Sequence, residues 1–241
     1  MAEPGDFAGT GLRTTAPTGP LYRIARPPDP WHWPDWANVG SDGTFGNRWD
    51  DPRGVYRVVY ASSSPLGAFM EVLARFRPDP HIVAALLEID GNDSSPSLSP
   101  GELEAEWLAN RCLGVAHLEG AFVDVGHSAS LARLRTALAS RLVHHGLLDL
   151  DAATIRLSAP RQFTQEISRY VYDRSTVNRT RGYAGLAYRS RLGDEFQNWA
   201  IFETVDGSLP FVKQPEVLTI EETNPDLRRA LDRLGVRLVP T

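Results

Sequence analysis

The chain of 241 residues is 42% hydrophobic and 23% charged, proportions of one large globular domain rather than of a disordered or fibrous chain. Its formal net charge is −5 with a pI near 5.7, and no basic block marks the footprint of a nucleic-acid binder. One cysteine, Cys112, excludes an intrachain disulfide and cysteine-rich zinc or iron–sulfur centres and suits a reducing cytoplasm.

Residues 1–20 are rich in Gly, Pro, Ala and Thr without periodicity and predict a flexible leader, with neither the basic nor the apolar region of a secretory signal. No apolar run approaches the ~20 residues that cross a bilayer, so no membrane association is expected. The folded part, 21–241, is expected to begin at Leu21-Tyr22-Arg23-Ile24. Pro27 to Asp51 sets Trp31, Trp33, Trp36, Phe45 and Trp49 among Pro, Gly and Asp, the pattern of an irregular loop pinned by aromatic anchors. Val55 to Ala61, dense in β-branched and aromatic residues, predicts a strand. Ser62-Ser63-Ser64-Pro65 places a capping hydroxyl ahead of a proline and predicts a helix over Leu66 to Phe76. His81 to Asp90 reads as a strand, followed by a loop from Gly91 to Gly101.

Glu102 to Leu113 reads as a short helix. Leu131, Leu134, Leu138 and Leu142 form one apolar stripe and predict a helix from Ser130 to His145, stopped by Gly146. A further helix is expected over Ala159 to Arg174, with Phe163, Ile167 and Tyr170 on one face. Strands at Leu186–Ser190, Trp199–Glu203 and Val212–Ile220 follow, and Asn224-Pro225-Asp226 caps a last helix, Leu227–Leu234. Strands and helices mix without βαβ alternation, so the fold class is α+β in a single domain.

The fingerprints GxGxxG, GxxxxGK[ST], HExxH and GxSxG are all missing, which makes P-loop hydrolysis and zinc proteolysis poor assignments. The six histidines, including His144-His145 at a helix end, show no ligand spacing. Polar residues remain at unusual places. Arg48 closes the aromatic loop in Gly46-Asn47-Arg48-Trp49, Tyr60 lies near the first strand's exit, and Ser190 ends a strand in Tyr188-Arg189-Ser190-Arg191. Glu71 stands between Phe69, Met70, Val72 and Leu73, where a carboxylate should be partly desolvated and in need of a partner.

Three segments in this order resemble the RES domain family of bacterial toxin–antitoxin systems, whose name records an Arg, Glu and Ser signature. They are Gly46-Asn47-Arg48-Trp49, then Val59-Tyr60-Ala61-Ser62 with Ala68-Phe69-Met70-Glu71, and Gly185-Leu186-Ala187-Tyr188-Arg189-Ser190-Arg191. The resemblance implies an ADP-ribosyltransferase-like fold and an enzyme that breaks the nicotinamide–ribose bond of NAD. NAD is then substrate rather than cofactor, and water or inorganic phosphate is the acceptor. It also implies an Xre-type antitoxin with a helix-turn-helix region that plugs the cleft. Arg48, Glu71 and Ser190 carry the signature, with Tyr60 as an aromatic companion. Relative to compact members, the region from about 90 to 150 reads as a helical insertion.

The chemistry of N-glycosidic cleavage agrees with that implication. Positive charge builds on the ribose, and a fixed carboxylate such as Glu71 would stabilise it. Arg48 offers planar donors to a pyrophosphate, Tyr60 a ring to stack on a base, and Ser190 a hydroxyl to bind phosphate or ribose or orient water. No metal is needed, because nicotinamide leaves unaided. Each residue also has a structural alternative. Arg48 could pair with Asp50 or Asp51, Tyr60 could be a half-buried strand aromatic, Glu71 could pair with Arg75 four residues on, and Ser190 could simply end its strand. Arg161, Arg169, Arg179 and Arg181 read as solvated unless one meets a phosphate. ADP-ribosyl transfer to a protein or small molecule, and a silent nucleotide- or partner-binding module, are the competing functions.

Overall fold

The computed structural model describes residues 10–88, 101–157, 159–176, 182–204 and 213–240. In chain order its elements begin with strands β1 (Thr14–Thr15), β2 (Leu21–Ala25) and β3 (Val58–Ser62), then helices α1 (Pro65–Leu73) and α2 (Pro80–Glu88). Next come β4 (Glu102–Glu104), α3 (Glu106–Ala109), β5 (Cys112–His117) and β6 (Phe122–Asp124). Helices α4 (Ser128–Ala137), α5 (Ala139–His144), α6 (Ala152–Leu157) and α7 (Arg161–Thr176) precede β7 (Gly185–Ser190), β8 (Gly193–Phe202) and β9 (Lys213–Thr219), and α8 (Pro225–Leu234) and β10 (Arg237–Val239) close the chain.

Eight strands form one sheet in the order β1-β6-β7-β8-β3-β2-β5-β9, antiparallel except for β6 beside β7, and β4 pairs in parallel with β10 apart from it. The fold is thus α+β. Strand parity assigns the two faces of the sheet. On one, Val59, Ala61, Ala187, Trp199 and Ile201 pack beneath Trp31 and Trp33 of the aromatic loop. The other carries two separate apolar clusters. Leu186, Ala200 and Phe202 meet helices α4 to α7, while Ile24, Leu113 and Phe196 meet α1 and α8. The strip of sheet between these clusters is left for polar side chains.

That strip lies where β2 and β3 part. Their pairing is the single couple Tyr22↔Ser62, whereas β3 pairs with β8 along its whole length from Val58↔Phe202 to Ser62↔Asn198. Local signals hold the flanking helices as the sequence predicts. Ser64 Oγ accepts the Gly67 N–H at 3.0 Å with Pro65 in the first turn of α1, and Asn224 Oδ1 accepts the Asp226 and Leu227 N–H groups at α8. Gly235 closes α8 in the left-handed conformation at φ 65°.

Several expectations are corrected. Residues 80–88 are helix α2 rather than a strand, since an apolar run alone does not distinguish the two. Asp79 Oδ1 accepts the His81 N–H ahead of Pro80, the same start signal as Ser64-Pro65. The loop expected from Gly91 lies outside the described residues up to Gly101. Within Glu102–Leu113 only Glu106–Ala109 is helical, with a strand on either side. The leucine-striped helix is broken at Leu138 (φ −110°, ψ 19°) into α4 and α5, although Leu134, Leu138 and Leu142 stay buried across the break. The strand at Trp199 begins six residues earlier, at Gly193. The leader is not loose in its described part: Leu12 is fully buried and Thr14–Thr15 pair with Val123 and Phe122. Nor is 90–150 a helical insertion where it is described, because β5 and β6 are strands of the main sheet.

Candidate functional site

The polar strip floors a cleft of about 450 Å³. Glu71 from α1, Tyr60 and Ser62 from β3, Tyr188 from β7 and Asn198 from β8 line it together with Arg48 of the loop before β3. The register explains the floor: Ser62, Asn198 and Tyr188 form one row across β3, β8 and β7 and so point the same way. Four lining residues are arginines, Arg23, Arg48, Arg161 and Arg191, against one carboxylate, Glu71.

Glu71 is exposed to this open cleft, contrary to the expected desolvation. Its apolar neighbours Phe69, Met70 and Leu73 turn to the core, which leaves the acid on the face of α1 toward the sheet strip. One oxygen, Oε1, accepts from both Ser190 Oγ at 2.5 Å and Asn198 Nδ2 at 2.7 Å. The amide orientation follows chemically, because Oδ1 turned toward a carboxylate would repel it. Ser190 and Asn198 are each 1% exposed, so both donors are buried, while the carboxylate they hold reaches the open cleft and its Oε2 carries neither bond. The alternative pairing of Glu71 with Arg75 does not form. Ser190 also accepts the Leu192 N–H at 2.9 Å, so its hydroxyl is committed to the acid and the chain turn and does not line the cleft.

Arg48 is held with its guanidinium 5.4 Å from the Tyr188 ring and 6.0 Å from that of Trp49, while Nη2 donates to the Arg156 carbonyl at 3.0 Å. Nη1 is buried and has no partner. Neither Asp50 nor Asp51 pairs with it. Asp51 meets Arg169 at 3.1 Å, and Asp50 accepts from Asn47 N (2.7 Å) and Tyr60 Oη (3.1 Å). Burial raises the Asp50 carboxyl above its ordinary value, against those hydrogen bonds. Tyr60 closes the node by accepting the Trp49 N–H at 3.1 Å. Burial, then the charge of Asp50, holds its phenol well above the usual range, so it stays neutral. Burial likewise raises Tyr188, with Glu71 adding to the rise and Arg48 opposing it: the two signature charges act on one ring.

Sequence reasoning missed several of these groups. Helix α7 presents Thr164, Gln165 and Ser168, all buried, and they donate to the consecutive carbonyls of Arg48 (2.8 Å), Asn47 (3.0 Å) and Trp49 (2.7 Å). The loop carrying Arg48 is thereby fixed without secondary structure of its own. Their signal was a polar set beside the apolar face of Phe163, Ile167 and Tyr170. Asn198, a polar side chain on the buried face of a strand, was a similar signal. Arg23 stands in the apolar run Leu21–Ala25 and bridges the parted strands, Nη1 donating to the Tyr60 carbonyl at 3.1 Å. Burial pulls it down to about 10. Of the other arginines considered, Arg161 lines the cleft, Arg169 is paired with Asp51 and Asp173, and Arg179 and Arg181 lie outside the described residues. Among the described residues no cluster of His, Cys, Asp or Glu could hold a metal ion, and no helix is long and apolar enough to cross a membrane.

Comparison with known proteins defines the class. Residues 20–221 match the RES domain family, and the chain belongs to it. Among solved structures, a chain of the crystal structure of the M. tuberculosis MbcT–MbcA toxin–antitoxin complex has the same fold, with a TM-score of 0.52, 12% sequence identity and 92% of each chain covered. No curated protein sequence matches the chain.

Proposed function

We propose that this protein cleaves the nicotinamide–ribose bond of NAD, as the toxin of a toxin–antitoxin pair acting in the cytoplasm. The observation that carries the reading is the fixed, cleft-facing carboxylate of Glu71, set among Arg23, Arg48, Arg161 and Arg191. A dinucleotide asks for this combination. Its pyrophosphate needs cations with planar donor geometry, and its ribose develops positive charge as the bond breaks.

Arg48 suits the pyrophosphate best, since its Nη1 is buried without a partner and its plane is fixed by Tyr188 and the Arg156 carbonyl. Holding a charged donor at a set position removes reorganisation from the reaction. Nicotinamide takes the electron pair of the C1′–N bond and leaves as a neutral molecule. Glu71, bound through Oε1, turns its free Oε2 toward the oxocarbenium charge or a ribose hydroxyl. Ser190 and Asn198 act by holding that carboxylate. The acceptor, water or inorganic phosphate, then adds to C1′ and loses a proton, giving ADP-ribose or its 1-phosphate.

Incubation with NAD, with and without phosphate, and chromatography of nicotinamide and the ribosyl product test the reading. Turnover by the wild-type chain, and loss of at least about a hundredfold in Glu71→Gln, are expected. Absence of nicotinamide release, or a Glu71→Gln variant at full rate, would overturn it. The product formed with phosphate present identifies the acceptor.

The partner follows from the same reading. The structural relative comes from a complex described as toxin–antitoxin, and an antitoxin that silences this chain would cover the cleft mouth.

A further inference from the structure

Just beyond the cleft, three arginines stand together. Strands β2 and β5 pair through Ala25↔Cys112, and one further step in that register sets Arg26 beside Arg111. Both share the face of Ile24 and Leu113, the face on which the cleft opens. Arg75 follows Glu71 by four residues and joins them from the end of α1. Their proximity is registered on Arg111, whose guanidinium is lowered by burial first and then by the charges of Arg26 and Arg75.

Two of the three charges, Arg75 and Arg111, are mounted on an aromatic pair. Arg75 lies 4.7 Å from the Phe76 ring, Phe76 meets Trp107 edge-on at 5.6 Å, and Arg111 lies 4.9 Å from Trp107. Like charges side by side are destabilising, and among the described residues none of the three forms an ion pair with a carboxylate. Arginine beside tryptophan is also the composition of interface anchor points. In a chain of net charge −5 this is a local reversal of sign.

We propose that Arg26, Arg75 and Arg111, with Phe76 and Trp107, form a docking surface for an acidic segment of a protein partner. The segment would lie across the cleft entrance beside Glu71 and obstruct substrate. Charge complementarity selects the occupant: peptide carboxylates fit three closely spaced guanidiniums over aromatic rings. A nucleic acid would call for a longer basic track than this acidic chain offers. The obstruction, though not the docking itself, rests on the proposed NAD-cleaving activity.

The test uses a fluorescein-labelled peptide of Glu-Glu-Leu repeats and a labelled single-stranded 20-mer oligonucleotide. Anisotropy is read with the full chain and with the R26Q/R75Q/R111Q variant, at low salt and at about 0.3 M salt, where surface charge is screened. The peptide is expected to bind the wild-type chain, to weaken about tenfold or more in the variant and at high salt, and to slow nicotinamide release by the wild-type chain only. Thermal unfolding of the variant near that of the wild type shows that the loss is not unfolding; if the triple variant unfolds, single Gln variants are read, each expected to weaken binding severalfold. No peptide binding by the wild type, equal affinity in the folded variants, or tighter binding of the oligonucleotide overturns the proposal. Anisotropy does not depend on turnover, so failure of the docking surface and failure of the NAD reading are separable.

Discussion

Replacing Ser190 or Asn198 by Ala removes one of the two donors to Glu71 Oε1 without touching the acid itself. A hydrogen bond to a charged group contributes about 1.5–3 kcal/mol, and water in the open cleft screens the carboxylate, so the lower end applies. If the held position of Oε2 is what opposes ribose charge, each variant loses about 1.5 kcal/mol of transition-state stabilisation, or about tenfold in kcat/KM. The donors share one oxygen, so the double variant should fall short of the product of the two losses. Ser190→Ala also strips the Leu192 N–H of its acceptor and should lower thermal stability more per unit of activity lost than Asn198→Ala does. Nicotinamide release at several NAD concentrations, beside thermal unfolding of the same samples, reads both effects. Single variants that unfold like the wild type and keep its kcat/KM would refute the claim that the hold on Glu71 matters, whatever Glu71→Gln does.

Tyr60→Phe should leave the Trp49 N–H without its acceptor and Asp50 without one donor, at about 1–3 kcal/mol; thermal unfolding a few degrees lower, with a raised KM for NAD, is expected. Glu166 is opposed by burial, but its bonds to Arg141 and His145 win and its carboxyl titrates below the ordinary 4.5. Its contribution, about 0.5–1 kcal/mol, is therefore present above that pH and lost as pH falls through the lowered value. Denaturation of Glu166→Gln from pH 7 to 3 should show a deficit that closes in acid. Gly185→Ala would place a Cβ 1.9 Å from the Ala200 carbonyl oxygen, where β7 meets β8; a loss above about 3 kcal/mol, read by denaturant titration, is expected.

Local chemistry made much of this protein legible in its sequence. The Ser64-Pro65 and Asn224-Pro225 starts and the run Val55–Ala61 are written in neighbouring residues, and the structure carries each of them within a few positions, whereas the leucine stripe runs over two helices instead of one. The signature residues Arg48 and Glu71 and their companion Tyr60 are likewise brought to one cleft, while Ser190 stands behind Glu71 rather than in the lining. The tertiary structure decided what neighbours cannot encode. Strand β6 owes its place to β1 and β7 on either side. Glu71 owes its partners to β7 and β8, more than a hundred residues away, and the Arg48 loop owes its shape to three donors on α7 at a similar distance. Such bonds exist only once the strands are in register, because register sets which side chains share a face.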